Sequence, residues 1–482
     1  DVYQRQIFIF ALGIVIMGLS FSGKGRNMKS FFAAGGAVPW LMSGLSLFMG
    51  FFSAGTFVVW GSIAYSLGWI AISIQWTMAI AGFVVGFFIA PRWHKTSALT
   101  VAEYITRRLG VNTQKTYTYL FLFISLFTTG SFLYPVAKIV EVSTGMPLDL
   151  CILLLGGFCI VYVAAGGLWA VVSTDVLQFI ILTAAVLIVV PLSFGRVGGV
   201  VNFIESIPAT YFNLVNGEYT IGFIVAFGVY NTIFLGGNWA YVQRYASVNS
   251  QSSARKVGFL FGGLYVVSAV LWMLPPMIYR IVNPSLSTID AEGAYLMMCK
   301  EVLPAGLLGL MLSGMVFATA SSLNATLNIS SGVVTNDIFK RLFPQSSDKT
   351  LMRVARISTI IFGLLAIIVA LLIPLMGGIV NVVISVAALT GVPLYLPIIW
   401  TLFSKRQTEY SVITTTLVSL GANAFFKFIT PLWGFGFNRA EEMIVGVAFP
   451  VLCLIAFELY YKLNHKISHR YVEYQEWELS LI

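Results

Sequence analysis

Small and hydroxyl side chains interrupt one of the longest apolar runs of the sequence, between about residues 303 and 334. Ala318, Ser321 and Ser322 follow an i, i+3, i+4 spacing, so a helix places them on one face. Asn324 and Asn328 lie close to that face. Hydroxyls and a nearby free carbonyl are oxygen ligands that suit a hard cation. The alternative is close helix packing, with the serine hydroxyls bonded to their own backbone.

A second apolar run, at 46–57, could supply further oxygen ligands. Gly50 and Gly55 bracket Ser53 in the middle of this run. Glycine and serine together are a common cause of a sharp helix kink, and a broken helix inside a membrane frees backbone carbonyls for a ligand. We therefore expect a helix break here, with a tight packing face as the alternative.

One carboxylate, Asp175, lies about five residues into an apolar run that continues to residue 190. An unpaired buried carboxylate is costly, so Asp175 has a cation partner, is protonated, or lies in water near a helix end. The simpler alternative is a position at a helix N-terminus, where the charge complements the helix dipole.

The composition identifies the elements that must position these residues. The chain has 482 residues, of which 58% are hydrophobic and 10% charged, whereas soluble domains carry about 25% charged residues. The apolar runs are long and continuous, which predicts membrane-spanning helices and excludes a barrel of short alternating strands. We expect no cleavable signal peptide and no appended soluble domain. The pattern predicts thirteen helices, near 5–21, 38–65, 69–91, 116–141, 148–165, 170–193, 221–242, 256–282, 303–335, 352–374, 378–403, 410–431 and 441–462.

The net charge of +9 follows from topology rather than from a nucleic-acid partner. Lysine and arginine concentrate on alternate loops, and 21 of the 28 lie on one predicted side. The positive-inside rule then places the N-terminus outside and the C-terminus in the cytoplasm. The expected location is the plasma (inner) membrane.

The remaining polar groups point to no enzyme chemistry. The three histidines lie in basic loops, and the four cysteines show no metal-ligand spacing, so we expect neither a catalytic cluster nor a metal centre of this kind. Lys138 and Glu141 are spaced i, i+3 near a helix end and predict an ion pair or a snorkelling lysine, with a substrate contact as the alternative. Glu292 lies in a loop at 283–304 and is expected to be solvated.

Four motifs together resemble the sodium:solute symporter family, which includes sodium–glucose, sodium–proline, sodium–sialic acid and sodium–pantothenate carriers. The block at 145–170 ends in Tyr-x-x-x-Gly-Gly-Leu-x-Ala and is similar to the family signature. It is followed by Ser-Thr-Asp-Val-Leu-Gln at 173–178, Gln-Arg at 243–244 and Ala-x-x-Ser-Ser at 318–322. The resemblance covers about 7–462.

The resemblance implies an all-α integral membrane protein of the LeuT type. Such a fold has about 13 transmembrane helices and a five-plus-five inverted repeat, with a broken first helix in each repeat, here around 51–56 and 234–237. The implied parts are 1–37 (leading peripheral helix and cytoplasmic loop), 38–193 (first repeat), 194–220 (outside loop), 221–403 (second repeat) and 404–482 (two peripheral helices and cytoplasmic tail).

The resemblance also implies a sodium site, and Na⁺ as the coupling ion. The implied ligands are the carbonyls of Met49, Phe52 and Ala318 and the hydroxyls of Ser321 and Ser322, with Asp175 close by to compensate the charge. Some members bind a second sodium through additional hydroxyls, and at those positions this sequence has Asn324 and Ala325. The number of sodium ions per solute therefore stays open.

The implied solute site lies beside the first break. Its residues are Thr56, Trp60, Gln75, Thr128, Asn231, Phe234 and Ile384. Sugar carriers tend to have longer hydrogen-bonding side chains at several of these positions, and sialic acid carriers have an arginine where this chain has Thr128. A neutral solute less polar than glucose is therefore expected, with Trp60 available to stack on a sugar face.

We thus expect a sodium-coupled secondary active symporter that imports a small organic solute, a sugar or sugar-like neutral molecule, by alternating access. The expected partners are the solute, sodium and the lipid bilayer, and the expected state is a monomer or weak dimer. The alternatives are a carrier of an amino acid, carboxylate or vitamin, a proton-coupled carrier using Asp175, and a receptor-like or channel-like protein without coupling.

Overall fold

The computed structural model describes residues 38–98, 100–163 and 168–479. This part of the chain is almost entirely helical and contains no strand. The predicted leading helix at 5–21 lies outside the described residues. The helices predicted between 38 and 462 all coincide with helices of the structure, some of them interrupted.

The helices are numbered here in chain order. They are α1 (Trp40–Met49), α2 (Gly61–Leu67), α3 (Ile70–Val84), α4 (Ala90–Lys95), α5 (Val101–Leu109), α6 (Val111–Thr144), α7 (Leu148–Val163), α8 (Leu168–Arg196), α9 (Val200–Ser206), α10 (Ile221–Gly237), α11 (Trp239–Ala246), α12 (Gln251–Val282), α13 (Ala294–Val302), α14 (Ala305–Gly332), α15 (Lys340–Leu342), α16 (Asp348–Leu372), α17 (Ile379–Val386), α18 (Val392–Thr401), α19 (Glu409–Ala424), α20 (Arg439–Leu463) and α21 (His469–Leu479). Single π-helical turns join several of them, among them Thr56–Trp60 before α2.

Within the described ranges, eight helical segments are long and apolar enough to cross a membrane. The bent pair α10 and α11 adds a ninth if it forms one span. Spans of this length, joined by short loops, make the chain a multi-pass membrane protein. The count of thirteen stays a prediction, because 5–21 is not described and several apolar helices, such as α1, are shorter than a span.

The first predicted break is present. Helix α1 ends at Met49, and regular helix resumes only at Ala54. Glycine and serine in the intervening residues 50–53 favour the interruption, because glycine weakens a helix and serine competes for backbone groups.

The second predicted break is also present, at Asn238 rather than within 234–237. Helices α10 and α11 meet there at an angle of 59°. The side chain of Asn238 accepts a hydrogen bond from the Ala240 amide at 3.0 Å and so starts α11 as its N-cap.

Aromatic rings pack around the first break. Phe48 is completely buried, and its ring centroid lies 5.8 Å from Phe52, 5.8 Å from Phe179 and 5.4 Å from Trp272. These rings come from α1, from the break itself, and from α8 and α12. Edge-to-face packing of this kind adds to the stabilisation from buried area, so the break rests in a well-packed core.

Glycines bring α3 and α12 into backbone contact. A Cβ atom on Gly82 would lie 2.7 Å from the amide nitrogen of Gly262, and one on Gly258 would lie 2.5 Å from the Cα of Gly86. Small residues at such a seam allow two membrane helices to approach closely. We call these four residues the glycine seam.

Candidate functional site

Backbone oxygens at the first break are available to a ligand. Met49 and Phe52 are buried, with exposed fractions of 1% and 2%. Among the described residues, no hydrogen bond is made to the carbonyl oxygen of either. Buried carbonyls normally have a partner, so two such oxygens fit a cation that is not part of the protein.

The serine face of α14 lies next to this break. The amide nitrogen of Ala54 donates a hydrogen bond of 3.0 Å to Thr319 Oγ1, which holds the break against α14 one residue after Ala318. Ser322 Oγ donates to the Ala318 carbonyl at 3.4 Å. That bond is long and therefore weak. The side chain of Ser321 lies outside the described residues.

Asp175 lies inside α8 rather than at its start. It is the eighth residue of the helix and is 3% exposed, so the interpretation as a helix N-terminal charge is wrong. Ser46 Oγ donates to Asp175 Oδ2 at 2.6 Å, and Arg244 Nε donates to the same Ser46 oxygen at 3.2 Å. A buried carboxylate and a buried guanidinium thus compensate each other's charge through one hydroxyl.

A cavity of about 90 Å³ joins these groups. It has room for several water molecules, and its lining includes Phe121 in the first half of α6 and Thr326 and Ile329 near the end of α14, in the parts of these helices that adjoin the basic loops. Its lining includes Ser46, Met49, Phe121, Thr128, Asp175, Phe234, Asn238, Tyr241, Arg244, Ser322, Thr326 and Tyr395.

Two of the predicted solute residues, Thr128 and Phe234, line this cavity. The hydroxyl of Thr128 is bonded to carbonyls of its own helix, of which the nearer is that of Ser125 at 3.1 Å. The Phe234 ring packs between those of Tyr230 and Tyr241, with centroids 5.5 Å away in each case. The cavity is therefore walled on one side by the rings of Phe234 and Tyr241, which meet edge to face.

The other predicted solute residues are placed away from the cavity. They are Thr56, Trp60, Gln75, Asn231 and Ile384. All but Trp60 are buried, and Asn231 already donates to Thr77 at 2.8 Å. Gln75 differs, because its Nε2 is buried and makes no hydrogen bond among the described residues. Whether this group forms a solute site stays a prediction.

Two carbonyls at the second break, those of Leu235 and Gly236, accept hydrogen bonds from side chains, in contrast to the Met49 and Phe52 carbonyls at the first. Trp93 Nε1 donates to the Gly236 oxygen at 2.6 Å, and the Tyr245 hydroxyl donates to the Leu235 oxygen at 3.2 Å. Trp93 comes from α4 and Tyr245 from α11. At the second break, two of the last carbonyls of α10 are thus satisfied by protein side chains.

Glu292 joins α6 to the start of α17 at the end of the bundle opposite the cavity. It was expected to be solvated. That expectation is wrong, since Glu292 is 3% exposed. It accepts hydrogen bonds from the Tyr134 hydroxyl at 2.9 Å and from the Ile379 amide at the start of α17 at 3.0 Å. Burial raises the pKa of Glu292. The predicted ion pair between Lys138 and Glu141 forms nearby, at 2.9 Å.

Sequence reasoning missed Ser46, Tyr241 and Tyr395 as cavity residues, and it gave Arg244 no role. Only Arg244 carried a signal, as a charged residue just after an apolar run. The others are ordinary in type and reach the cavity only through the packing of α1, α11 and α18.

The model of the sodium:solute symporter family matches residues 31–418. The chain belongs to that family. As a member of the sodium:solute symporter family it is a multi-pass membrane transporter coupled to sodium, not an enzyme.

Curated relatives agree with this assignment. The chain is 29% identical to a sodium/glucose cotransporter of Vibrio parahaemolyticus over 467 residues, covering 88% of this chain and 85% of that protein. It is 26% identical to sodium/myo-inositol cotransporter 2 of Oryctolagus cuniculus over 400 residues, covering 75% of this chain and 59% of the relative.

Solved structures share the fold of this symporter. An outward-open Na⁺-coupled sialic acid symporter superimposes with a TM-score of 0.80 at 21% identity, over 95% of this chain and 98% of the other. Mhp1, a nucleobase-cation-symport-1 family transporter, gives a TM-score of 0.59 at 15% identity, over 93% and 99%. The all-helical LeuT-type fold class is thereby confirmed.

Proposed function

We propose that this symporter imports a small neutral sugar or sugar-like solute together with sodium. The proposed sodium ligands are the carbonyl oxygens of Met49, Phe52 and Ala318 and the hydroxyls of Ser321 and Ser322, with Asp175 close by. Five neutral oxygens can replace much of the hydration shell of a hard cation, and a carboxylate lowers the cost of removing it from water.

The observation that carries this proposal is the shared cavity. Met49 at the end of α1, Ser322 on α14 and Asp175 on α8 all line it. Three helices that are far apart in the sequence thus present oxygen atoms to one small space. The Ala54–Thr319 hydrogen bond holds Phe52 and Ala318, which do not line the cavity, near the same place.

The solute class is supported by two features. Relatives across most of the chain are named for glucose and myo-inositol, both neutral polyhydroxylated rings. Gln75 offers a buried amide group whose Nε2 makes no hydrogen bond among the described residues. Such a group is costly to leave unsatisfied, and a solute hydroxyl would satisfy it.

The proposed mechanism is alternating access. The cavity is lined by residues from the parts of α6 and α14 that adjoin the basic loops, which we place in the cytoplasm, and Glu292 binds Tyr134 of α6 and the start of α17 at the opposite end. We interpret this arrangement as the inward-facing state. The inward movement of one sodium gains about 2.3 kcal/mol per 100 mV, which supports roughly 40-fold accumulation of the solute before any sodium gradient is added.

The test is uptake by the purified protein in liposomes. A panel of labelled glucose, galactose, myo-inositol, sialic acid, proline and pantothenate is offered with an inward sodium gradient and, separately, in choline buffer. We expect accumulation of a neutral sugar or polyol in sodium only. Equal accumulation in choline would refute sodium coupling, and accumulation that follows an imposed proton gradient would favour the proton-coupled alternative through Asp175.

A double variant tests the sodium site. Replacement of Ser321 and Ser322 by alanine removes two proposed ligands and should raise the sodium concentration needed for half-maximal uptake. Ser313→Ala is the matched control, because Ser313 is buried in the same helix, donates to the Gly309 carbonyl and does not line the cavity. An unchanged sodium dependence in the double variant would place the ion elsewhere.

A further inference from the structure

Thr319 makes a hydrogen bond to a distant segment that could not be predicted from its residue type or from its position in the sequence. It is completely buried in α14. Its Oγ1 donates to the Met315 carbonyl at 2.9 Å, as a threonine in a membrane helix commonly does. The same oxygen also accepts a hydrogen bond of 3.0 Å from the amide of Ala54, 265 positions away in the sequence.

Ala54 is where regular helix resumes after the first break. The first amides of a helix have no partner in that helix, and a buried one needs an acceptor. In most helices a side chain just before the first turn supplies it. Here the acceptor comes from another helix, so Thr319 acts as an N-cap supplied across the interface between the first break and α14.

The bond lies between the two halves of the proposed sodium site. On one side, Ala54 is two residues from the Phe52 carbonyl. On the other, Thr319 directly follows Ala318. A single hydrogen bond thus fixes how far the oxygens of the broken helix stand from those of α14, in a region where Ala54 and Thr319 are both 0% exposed.

We propose that Thr319 is a positioning residue for sodium. It is not itself one of the proposed ion ligands, and it acts by holding the break at the separation that the ion requires. This inference rests on the proposed function, since it assumes the sodium site between the first break and α14. It adds a residue outside the ligand set whose loss weakens sodium binding although every ligand residue is still present.

Ser313 provides a close comparison within the same helix. Both residues are completely buried, and both donate to the carbonyl four residues earlier, Ser313 at 2.7 Å to Gly309. They differ in that Thr319 also accepts a bond from another helix. If internal bonding of a hydroxyl were all that mattered, the two positions would respond alike to substitution.

The experiment compares Thr319→Val, Thr319→Ser and Ser313→Ala with the unaltered chain in liposomes. Valine keeps the shape of threonine but cannot accept the Ala54 hydrogen bond, whereas serine can. We expect Thr319→Val to raise the half-saturating sodium concentration by about two- to tenfold, the range that corresponds to loss of one net hydrogen bond. We expect Thr319→Ser and Ser313→Ala to leave it within about twofold, and the solute KM at saturating sodium to stay unchanged in all three.

Hydrogen–deuterium exchange gives a second readout that does not depend on transport. A peptide covering 51–57 should exchange faster in Thr319→Val than in Thr319→Ser or Ser313→Ala. If Thr319→Val fails to fold, Thr319→Ala takes its place in both measurements.

The outcomes separate the two proposals. A sodium dependence in Thr319→Val equal to that of Ser313→Ala would overturn the positioning role while leaving the symport intact. Unaltered protein that shows no sodium dependence would overturn the proposed function. Exchange at 51–57 that does not change in Thr319→Val would overturn the contact itself.

Discussion

Asp175→Asn should lower both the stability of the protein and its use of sodium. The Asp175 carboxylate and the Arg244 guanidinium share the Ser46 hydroxyl, so the bonded atoms are no further apart than the 2.6 Å and 3.2 Å of those bonds together. At that separation two unit charges interact by about 3 kcal/mol for an effective dielectric constant of about 20. Loss of one partner also leaves Arg244, only 7% exposed, without its compensating charge. Breaking such buried pairs costs about 3–5 kcal/mol.

A double-mutant cycle isolates this pair. Arg244→Gln alone should destabilise for the same reason as Asp175→Asn, and the double variant should recover much of the loss because neither charge is then buried alone. Sodium-driven uptake should stay impaired in the double variant, since the carboxylate near the ion is still absent. The double variant should therefore regain stability without regaining sodium-driven uptake.

Two quantities are measured for each variant. They are the apparent melting temperature of the protein in detergent and sodium-dependent uptake in liposomes. Ser193→Ala is the control, because Ser193 is buried in the same helix as Asp175 and bonds only to the Val189 carbonyl among the described contacts. Additive destabilisation in the double variant would show that the two charges do not interact. Normal sodium dependence in Asp175→Asn would remove Asp175 from the ion site.

Three further predictions concern the frame around the site. Gly258→Ala should destabilise by about 1–3 kcal/mol because its Cβ would overlap α3, whereas Gly263→Ala in the same helix meets nothing within 4 Å and should be neutral or stabilising. Trp93→Phe should cost about 1 kcal/mol, because the Gly236 carbonyl loses its donor. Burial raises the pKa of Glu292, so the folded protein holds that proton more tightly than the unfolded chain, and stability should fall as the pH rises from 4.5. Glu292→Gln should flatten that fall in a series of melting temperatures against pH.

Each of these three predictions would be contradicted by a specific result. Equal melting temperatures for the two glycine variants would show that the helices can separate at the seam. An unaltered melting temperature in Trp93→Phe would mean that water or another donor replaces the indole. A pH profile that keeps its slope in Glu292→Gln would assign the titration to another group.

Much of the fold follows from the sequence because membrane spans are long and apolar. Both limits of α20, the end of α12 and the start of α19 are close to those predicted, since a run of more than twenty apolar residues has few alternatives in a bilayer. The first break was also predictable, because glycine and serine mark it locally. The second was placed slightly early, because the Asn238 cap decides it rather than the neighbouring glycines.

Contacts between distant segments could not be predicted in the same way. Glu292 looks like a loop carboxylate until α6 and the start of α17 close over it. Thr319 looks like any other hydroxyl in a membrane helix until the Ala54 amide is placed beside it. The burial of Asp175 was expected, but Ser46 and Arg244 as its neighbours were not, because three separate helices bring them together.

The two broken helices differ in the hydrogen bonding of the backbone carbonyls at their breaks. At the first break the Met49 and Phe52 oxygens receive no hydrogen bond from the described residues, whereas at the second the Trp93 indole and the Tyr245 hydroxyl donate to the Gly236 and Leu235 oxygens. The first break thus has carbonyl oxygens available to a ligand, whereas the second is held by hydrogen bonds from side chains of α4 and α11. Sodium bound at the proposed site would stiffen the first break alone, so the two halves of the molecule would contribute unequally to the proposed switch between the two sides of the membrane.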